Sequence, residues 1–405
     1  MLNRRLYLVV PSAVFAAALS VSTAEEPKGL ERIGSADHPA RASVIVFSSN
    51  RLGNLDIYVM DVDENGRPLV DENGMPLAPR QLTGLGVNDF PTGNNGLPDW
   101  SPDGKGRIVF ESNRDRVAGE PVNQANLYWM KADGTHQTML TRGSSVTWSP
   151  NGKYIAFHRS ASNDVCPPAP RLPGLPGCPI KFPDPGAATF DSDIFVVNIG
   201  ALLDDDDGDG DDGDKIPRNI TNTEGFIEDD PDWSPDGRTI AFTRHPVEGP
   251  HLDSFTAEMH VLDLETGTRE QLTANDQEER APAWSPDGRR IAYMCRKGDP
   301  VNPQTLRPTT FEICVMDLDK RDPNGFPVVT RLTKDSAFDA GPHWSPDGKK
   351  ILFGKTEAPG LQQLWVMDLE NLDPLGFPVA TQLTFGPDTK LFGNWGEIKV
   401  RQRGR

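Results

Sequence analysis

The densest side-chain chemistry in this chain lies in eleven residues, Asp204 to Asp214, of which eight are aspartate and three glycine. Alternating carboxylates at Asp205, Asp207, Asp209 and Asp211, with glycine letting the backbone curl between them, suit a hard cation that takes six or more oxygen ligands. Ca2+ is the cofactor this predicts, and no other is indicated. A second stretch, Asp61, Asp63, Asn65, Gly66 and then Glu72, also satisfies the spacing of a calcium loop. Strand-forming residues flank it, however, and Asn-Gly is a common hairpin turn. The histidines His158, His245, His251, His260 and His343 are candidate ligands for a metal-dependent lyase, although their spacing fits no familiar ligand motif. No Gly-x-Ser-x-Gly elbow, His-Glu-x-x-His helix or phosphate loop is present.

Six related tryptophan segments set the frame that must position these groups. Trp100, Trp148, Trp233, Trp284 and Trp344 each open Trp-Ser-Pro-Asp/Asn-Gly, and Phe392-Gly393-Asn394-Trp395-Gly396 is a worn sixth copy. The Trp spacings are 48, 85, 51, 60 and 51 residues, a period typical of repeat folds. In the turn, Pro pre-sets φ, Asp accepts local backbone bonds and Gly takes positive φ, which closes a tight hairpin onto an apolar run such as Ile155-Ala156-Phe157. A third run follows, as in Asp56-Ile57-Tyr58-Val59-Met60 or Glu312-Ile313-Cys314-Val315-Met316, rich in β-branched and aromatic residues. A fourth short strand ends in Gln81-Leu82-Thr83, Gln271-Leu272-Thr273, Arg331-Leu332-Thr333 or Gln382-Leu383-Thr384. Four antiparallel strands per unit, six times over, predict an all-β, six-bladed β-propeller.

The order of strands predicts its closure. The chain enters on a second-type strand at Val44 to Phe47 and finishes on a first-type strand at Trp395, so the two termini pair within one blade. Up-and-down strands then sort the loops onto two faces. The Asp-rich segment shares a face with the Ser-Pro-Asp-Gly turns. The connectors between blades share the other face, and they are acidic: Glu228, Asp229 and Asp230, then Asp276, Glu278 and Glu279, then Asp335 and Asp339, with Asp388 beyond. Crowded at the mouth of a central channel, such acids would focus a negative potential on a cation or a basic peptide segment. The tryptophans, fixed beside each turn, are predicted to pack between adjacent blades.

The first residues suggest export. Arg4 and Arg5 precede an apolar stretch from Leu6 to Val21, and Ser22-Thr23-Ala24 offers a cleavage site, so residues 1–24 read as a signal peptide. A membrane anchor is the competing reading, against which Pro11 interrupts a stretch already short for a span. Residues 25–42 are then an extension, 43–400 the propeller and 401–405 a basic tail. Removing Arg4 and Arg5 moves the formal charge from −18 to −20, and nucleic acid is not an expected partner of so acidic a chain. In an oxidising compartment the four cysteines predict two disulfides, with proximity favouring Cys166 with Cys178 and Cys295 with Cys314. Two buried thiols are the alternative for the second pair.

Trp-Ser-Pro-Asp-Gly, an apolar strand, Tyr-Val-Met-Asp and Gln-Leu-Thr together resemble the TolB-like, WD-type propeller repeats of bacterial envelope proteins. The resemblance covers about residues 43 to 400 and lacks room for the α/β domain that precedes the propeller in TolB itself. It implies a periplasmic or secreted scaffold, expected to be monomeric, that engages an envelope protein or peptide at a propeller face. A polysaccharide (uronate) lyase or other hydrolytic enzyme built on the same fold is the alternative.

Overall fold

The computed structural model describes residues 41–63, 65–84, 94–115, 125–160, 192–202, 216–247, 257–275, 277–296, 310–335, 337–358 and 360–399. Its secondary structure is almost wholly antiparallel sheet, and among the described residues no helix is long and apolar enough to cross a membrane. Four sheets have four strands each and one has eight. The first of the four-stranded sheets combines β1 (Arg41–Ser49), β2 (Asp56–Val62) and β3 (Arg80–Gln81) with β24 (Lys390–Lys399), the last strand of the chain. Antiparallel pairing runs from Arg41 opposite Lys399 to Ser49 opposite Lys390. The termini therefore close one unit together, as the order of strand types required.

The eight-stranded sheet departs from the sequence expectation of equal four-stranded units. It joins the third and fourth repeats through one parallel pairing, Ser192 with Ile227, between β10 (Ser192–Asn198) and β12 (Phe226–Trp233). The cause is local: the Ser192 hydroxyl donates to Glu228 O and accepts from Glu228 N, both at 3.2 Å, drawing the two strand ends together. Away from that seam each half repeats the pattern of the other sheets. The innermost strands, β4 (Asn95–Trp100), β8 (Ser144–Trp148), β12, β16 (Glu279–Trp284), β20 (Asp339–Trp344) and β24, touch one another in a closed cycle.

The core is divided accordingly. Six apolar clusters each draw on two neighbouring repeats and each contain one repeat tryptophan: Trp100, Trp148, Trp233, Trp284, Trp344 or Trp395. Trp148 donates its indole N–H to Asp99 O at 3.2 Å, and Trp344 to Ala283 O at 2.9 Å, each reaching into the preceding repeat. Packing between units, predicted for these rings, is therefore what they do. The hairpin turns follow one plan. In the third repeat Ser149 Oγ donates to Asn151 Oδ1 at 2.8 Å and accepts from Tyr154 N at 2.9 Å, while Gly152 stands at φ 65°. Only glycine suits that position, because a Cβ on Gly152 would lie 2.7 Å from Asp103 Cβ in the preceding repeat.

Gln-Leu-Thr lies at, and just beyond, the end of the fourth strand. Thr83 Oγ1 accepts from Ile57 N at 2.9 Å and donates to Asp56 Oδ1 at 2.8 Å, tying the fourth strand to the start of the third. Thr221 does the same for Ile194 and Asp193, and Thr384 for Leu364 and Gln363. A buried backbone donor that would otherwise be orphaned explains the threonine.

Candidate functional site

Each inner strand carries an irregularity that aims it at the axis. The register shifts between Gly96 and Asp99, Ser144 and Thr147, Asp229 and Asp232, Arg280 and Ala283, and Ala340 and His343. Within these bulges Leu97, Ser145, Asp230, Ala281 and Gly341, each three residues before a repeat tryptophan, have φ of 46°, 50°, 53°, 48° and 58°. Left-handed backbone is costly for residues other than glycine, and such positions gather where a fold holds a working surface. A proline follows in four of the five, at Pro98, Pro231, Pro282 and Pro342. Proline has no N–H for the bulge to leave unpaired.

The bulges surround a cavity of about 450 Å³ on the axis, to which all six inner strands contribute. Its wall is chemically mixed. Asp99, Thr147, Asp230, Asp232 and Arg280 bring polar groups, whereas Pro282, Met294, Phe338, Ala340 and Leu391 bring apolar surface. Asp99 accepts from Trp148 N at 2.7 Å and from Asn394 Nδ2, and Asp232 accepts from Trp284 N at 2.7 Å and Thr147 Oγ1 at 3.3 Å. Burial pushes both acids up to about 7 against the lowering effect of those donors, and Asp99 raises Asp232 further. Asp230 accepts from Ser145 Oγ at 2.8 Å and Ala281 N at 3.3 Å. Arg280 is paired with Glu278; burial opposes its charge, yet Glu278, Asp230 and Asp229 hold its pKa above the ordinary value. His343 also lines the cavity, and burial alone lowers it to about 4.

The acids expected at the channel mouth divide into two groups. Asp230 lines the cavity. Glu228, Glu279 and Asp339, each five residues before a repeat tryptophan, are instead buried, at 0 %, 3 % and 0 % exposure. Glu279 takes bonds from Thr273 Oγ1 and, at 2.8 Å, Asn275 Nδ2 of the preceding repeat, and burial pushes it up to about 7. Glu228 sits 3.4 Å from Arg244 and 3.2 Å from Arg269, and burial raises it above the usual carboxylate range. Burial raises Asp339 to about 7. Acids buried in this way do not present their charge to a partner. Asp229 lies between His158 at 3.7 Å and His245 at 3.9 Å, Glu278 is held by Arg280, and Asp335 by Lys355.

The remaining candidates are placed as follows. Asp276 and the predicted calcium ligands Asp205, Asp207, Asp209 and Asp211 lie outside the described residues, as do Cys166, Cys178 and His251. At the other acidic stretch Asp63 Oδ1 accepts from Asn65 N and Arg67 N, both at 2.8 Å, which is a hairpin turn. His260 stacks on Phe242 with ring centroids 5.9 Å apart. Among the described residues no three His, Cys, Asp or Glu groups converge to hold a metal ion. Cys295 and Cys314 form a disulfide with Cα atoms 5.7 Å apart, which fits an oxidising, extracytoplasmic compartment. Asp99 and Asp232 are not singled out by sequence reasoning, although each directly precedes a repeat tryptophan, as does His343, which the sequence offers as a candidate metal ligand.

Comparison with known proteins agrees with this geometry. The family model described as the TolB beta propeller domain matches residues 211–375. The chain carries a TolB-like β-propeller. Among solved structures, TolB from Acinetobacter baumannii superposes with a TM-score of 0.53 over 87 % of this chain and 66 % of that one, at 16 % identity. Hydrazine synthase from Kuenenia stuttgartiensis gives 0.56 over 89 % and 47 %, at 13 % identity, so both likenesses concern the fold. Among curated proteins, the uncharacterized peptidase YuxL of Bacillus subtilis is 28 % identical over 30 % of this chain and 16 % of its own length. Dipeptidyl-peptidase 5 of Porphyromonas gingivalis is 37 % identical over 16 % and 9 %. The TolB-like chain spans less than a fifth of the length of either relative.

Proposed function

We propose that this TolB-like propeller is a non-catalytic scaffold, exported to the periplasm or beyond and monomeric, that holds a peptide segment of a partner protein in its channel. The eight-stranded sheet counts, in this reading, as two blades, which makes six. One observation carries the proposal: a cavity of about 450 Å³, ringed by bulged inner strands, that combines a few acidic groups with apolar surface. Pockets of this size with a few placed polar groups are the usual form of binding sites. The acids favour a basic segment, and the apolar wall favours one with a hydrophobic side chain. Ca2+ at Asp205, Asp207, Asp209 and Asp211 remains part of the proposal on carboxylate spacing alone; calorimetry on chelated protein that records no heat with calcium would retire it.

Fluorescent dodecapeptides sorted by charge test the channel reading. Lysine-bearing peptides are expected to bind, glutamate-bearing ones to fail, and binding to weaken as salt is added. Asp230→Asn, which removes a charge from the wall but keeps an acceptor oxygen and a side chain suited to left-handed backbone, should weaken the binding while leaving the melting temperature close to that of the parent. Binding that ignores both salt and this substitution would refute the assignment.

A further inference from the structure

The inner strands run from the face of the connectors toward the Ser-Pro-Asp-Gly turns, and this gives the cavity an axial order. Phe338, Met294 and Leu391 lie near the connector end, Asp230 at the level of the bulges, and Asp99 and Asp232 nearest the turns, each beside its tryptophan. Gln362 also stands at the connector end, at the start of β22 (Leu361–Leu372). Only 8 % exposed and lining the cavity, it has a side-chain Nε2 with no hydrogen-bond partner. A buried donor left without an acceptor is costly, of the order of 1–3 kcal/mol, and on a cavity wall it is available to an acceptor on a ligand. From the connector end inward, the wall therefore offers an amide donor beside apolar surface, and then carboxyl groups.

We infer that the channel receives the free amino terminus of a peptide whose first side chain is apolar, with the ammonium leading toward Asp230, Asp232 and Asp99. The first side chain then lies against Met294, Phe338 and Leu391, and the first carbonyl oxygen accepts from Gln362 Nε2. This deepens the channel reading and rests on it. Each recognition element has a counterpart already on the wall. The ammonium supplies three donors to carboxyl oxygens that each already accept one bond, from Trp148 N and Asn394 Nδ2, Ser145 Oγ and Ala281 N, or Trp284 N and Thr147 Oγ1, and that each keep a second lone pair. Arg280, also on the wall, is paired with Glu278, and the acids around it, Asp230 and Asp229 included, outnumber it. An anionic terminus entering the same way would meet Asp230 and be repelled.

The test uses the whole chain and three short peptides carrying fluorescein at the carboxyl end: Leu-Ala-Gly with a free amino terminus, its N-acetyl form, and N-acetyl-Gly-Lys-Gly. Fluorescence anisotropy at low salt is expected to show the free terminus binding at least about tenfold more tightly than either blocked peptide, a difference of about 1.4 kcal/mol. Asp230→Asn, which keeps a side chain tolerant of left-handed backbone, should erase that preference. Gln362→Met should weaken the free peptide and leave the ratio between free and acetylated forms intact. Equal binding of the free and acetylated peptides overturns the terminus assignment and leaves the channel reading standing. Equal binding of the lysine peptide likewise overturns it, assigning the carboxyl groups to a side chain. No binding by any of the three, or by the dodecapeptides, overturns both.

Discussion

Replacing Asp232 by asparagine isolates the cost of keeping a carboxyl group in the channel wall. Asparagine retains an oxygen to accept from Trp284 N, which the carboxylate meets at 2.7 Å, so the seam is not left with an orphaned donor. What changes is titration. The folded pKa of Asp232 stands at about 7 against an ordinary 3.8, with burial as the main cause. The folded state therefore binds the proton more tightly, and stability from this group is whole below the unfolded pKa and is lost as pH rises through the folded one. Integrated between pH 5 and pH 8, a shift of about three units removes roughly 2.5 kcal/mol from the parent protein that the variant does not lose, while Asp99, Glu279 and Asp339 titrate in both. Urea unfolding followed by tryptophan fluorescence at both pH values reads the difference as a change in midpoint with unchanged slope. The variant should gain on the parent as pH rises. A difference between them that stays constant from pH 5 to pH 8, or moves the other way, would refute the reading of Asp232 as a buried acid whose ionisation its surroundings oppose.

Other substitutions probe the frame. Trp148→Ala should cost about 3–5 kcal/mol, since it empties a junction between two units, and denaturant titration measures it. Thr384→Val removes both the acceptor for Leu364 N and the donor to Gln363, so a loss of roughly 1–3 kcal/mol is expected by the same method. Gly152→Ala places a Cβ 2.7 Å from Asp103 Cβ at φ 65°, and calorimetry should record a lowered melting temperature, with a loss exceeding about 1 kcal/mol. Cys295→Ser combined with Cys314→Ser should cost about 3 kcal/mol by the chain-entropy argument, and parent protein unfolded with and without reductant should show the same difference.

The frame was legible because each repeat spells it locally. Ser-Pro-Asp-Gly contains its own turn chemistry, the apolar runs alternate with polar positions, and the terminal strand types announced their pairing. The seam at Ser192 was not legible, because nothing about a lone serine signals that its hydroxyl will hold the backbone of Glu228 in the next unit. The acids show the same limit. Glu228, Asp229 and Asp230 are consecutive and chemically alike, yet the first is buried beside two arginines, the second lies between two histidines and the third faces the axis. A bulge separates their fates, and its left-handed residue is Leu97, Ser145 or Ala281 elsewhere, types that betray no such conformation. Asp99 and Asp232 were hidden for the opposite reason: they stand inside a strand beside a core residue, where a carboxyl group reads as part of the repeat.

The pairing of β1 with β24 places residues some 340 positions apart side by side, as in the 2.8 Å bond from Ser49 Oγ to Asp388 Oδ2. A ribosome delivers the first of these strands long before the second. Until the end of the chain arrives, Val44 to Phe47 present a bare apolar edge with nothing to complete it, so late strand addition becomes the committing event of biogenesis. A product that stops before Lys390 would be deprived of its clasp, and quality-control proteases would meet an open ribbon where the paired strands offer a sealed ring.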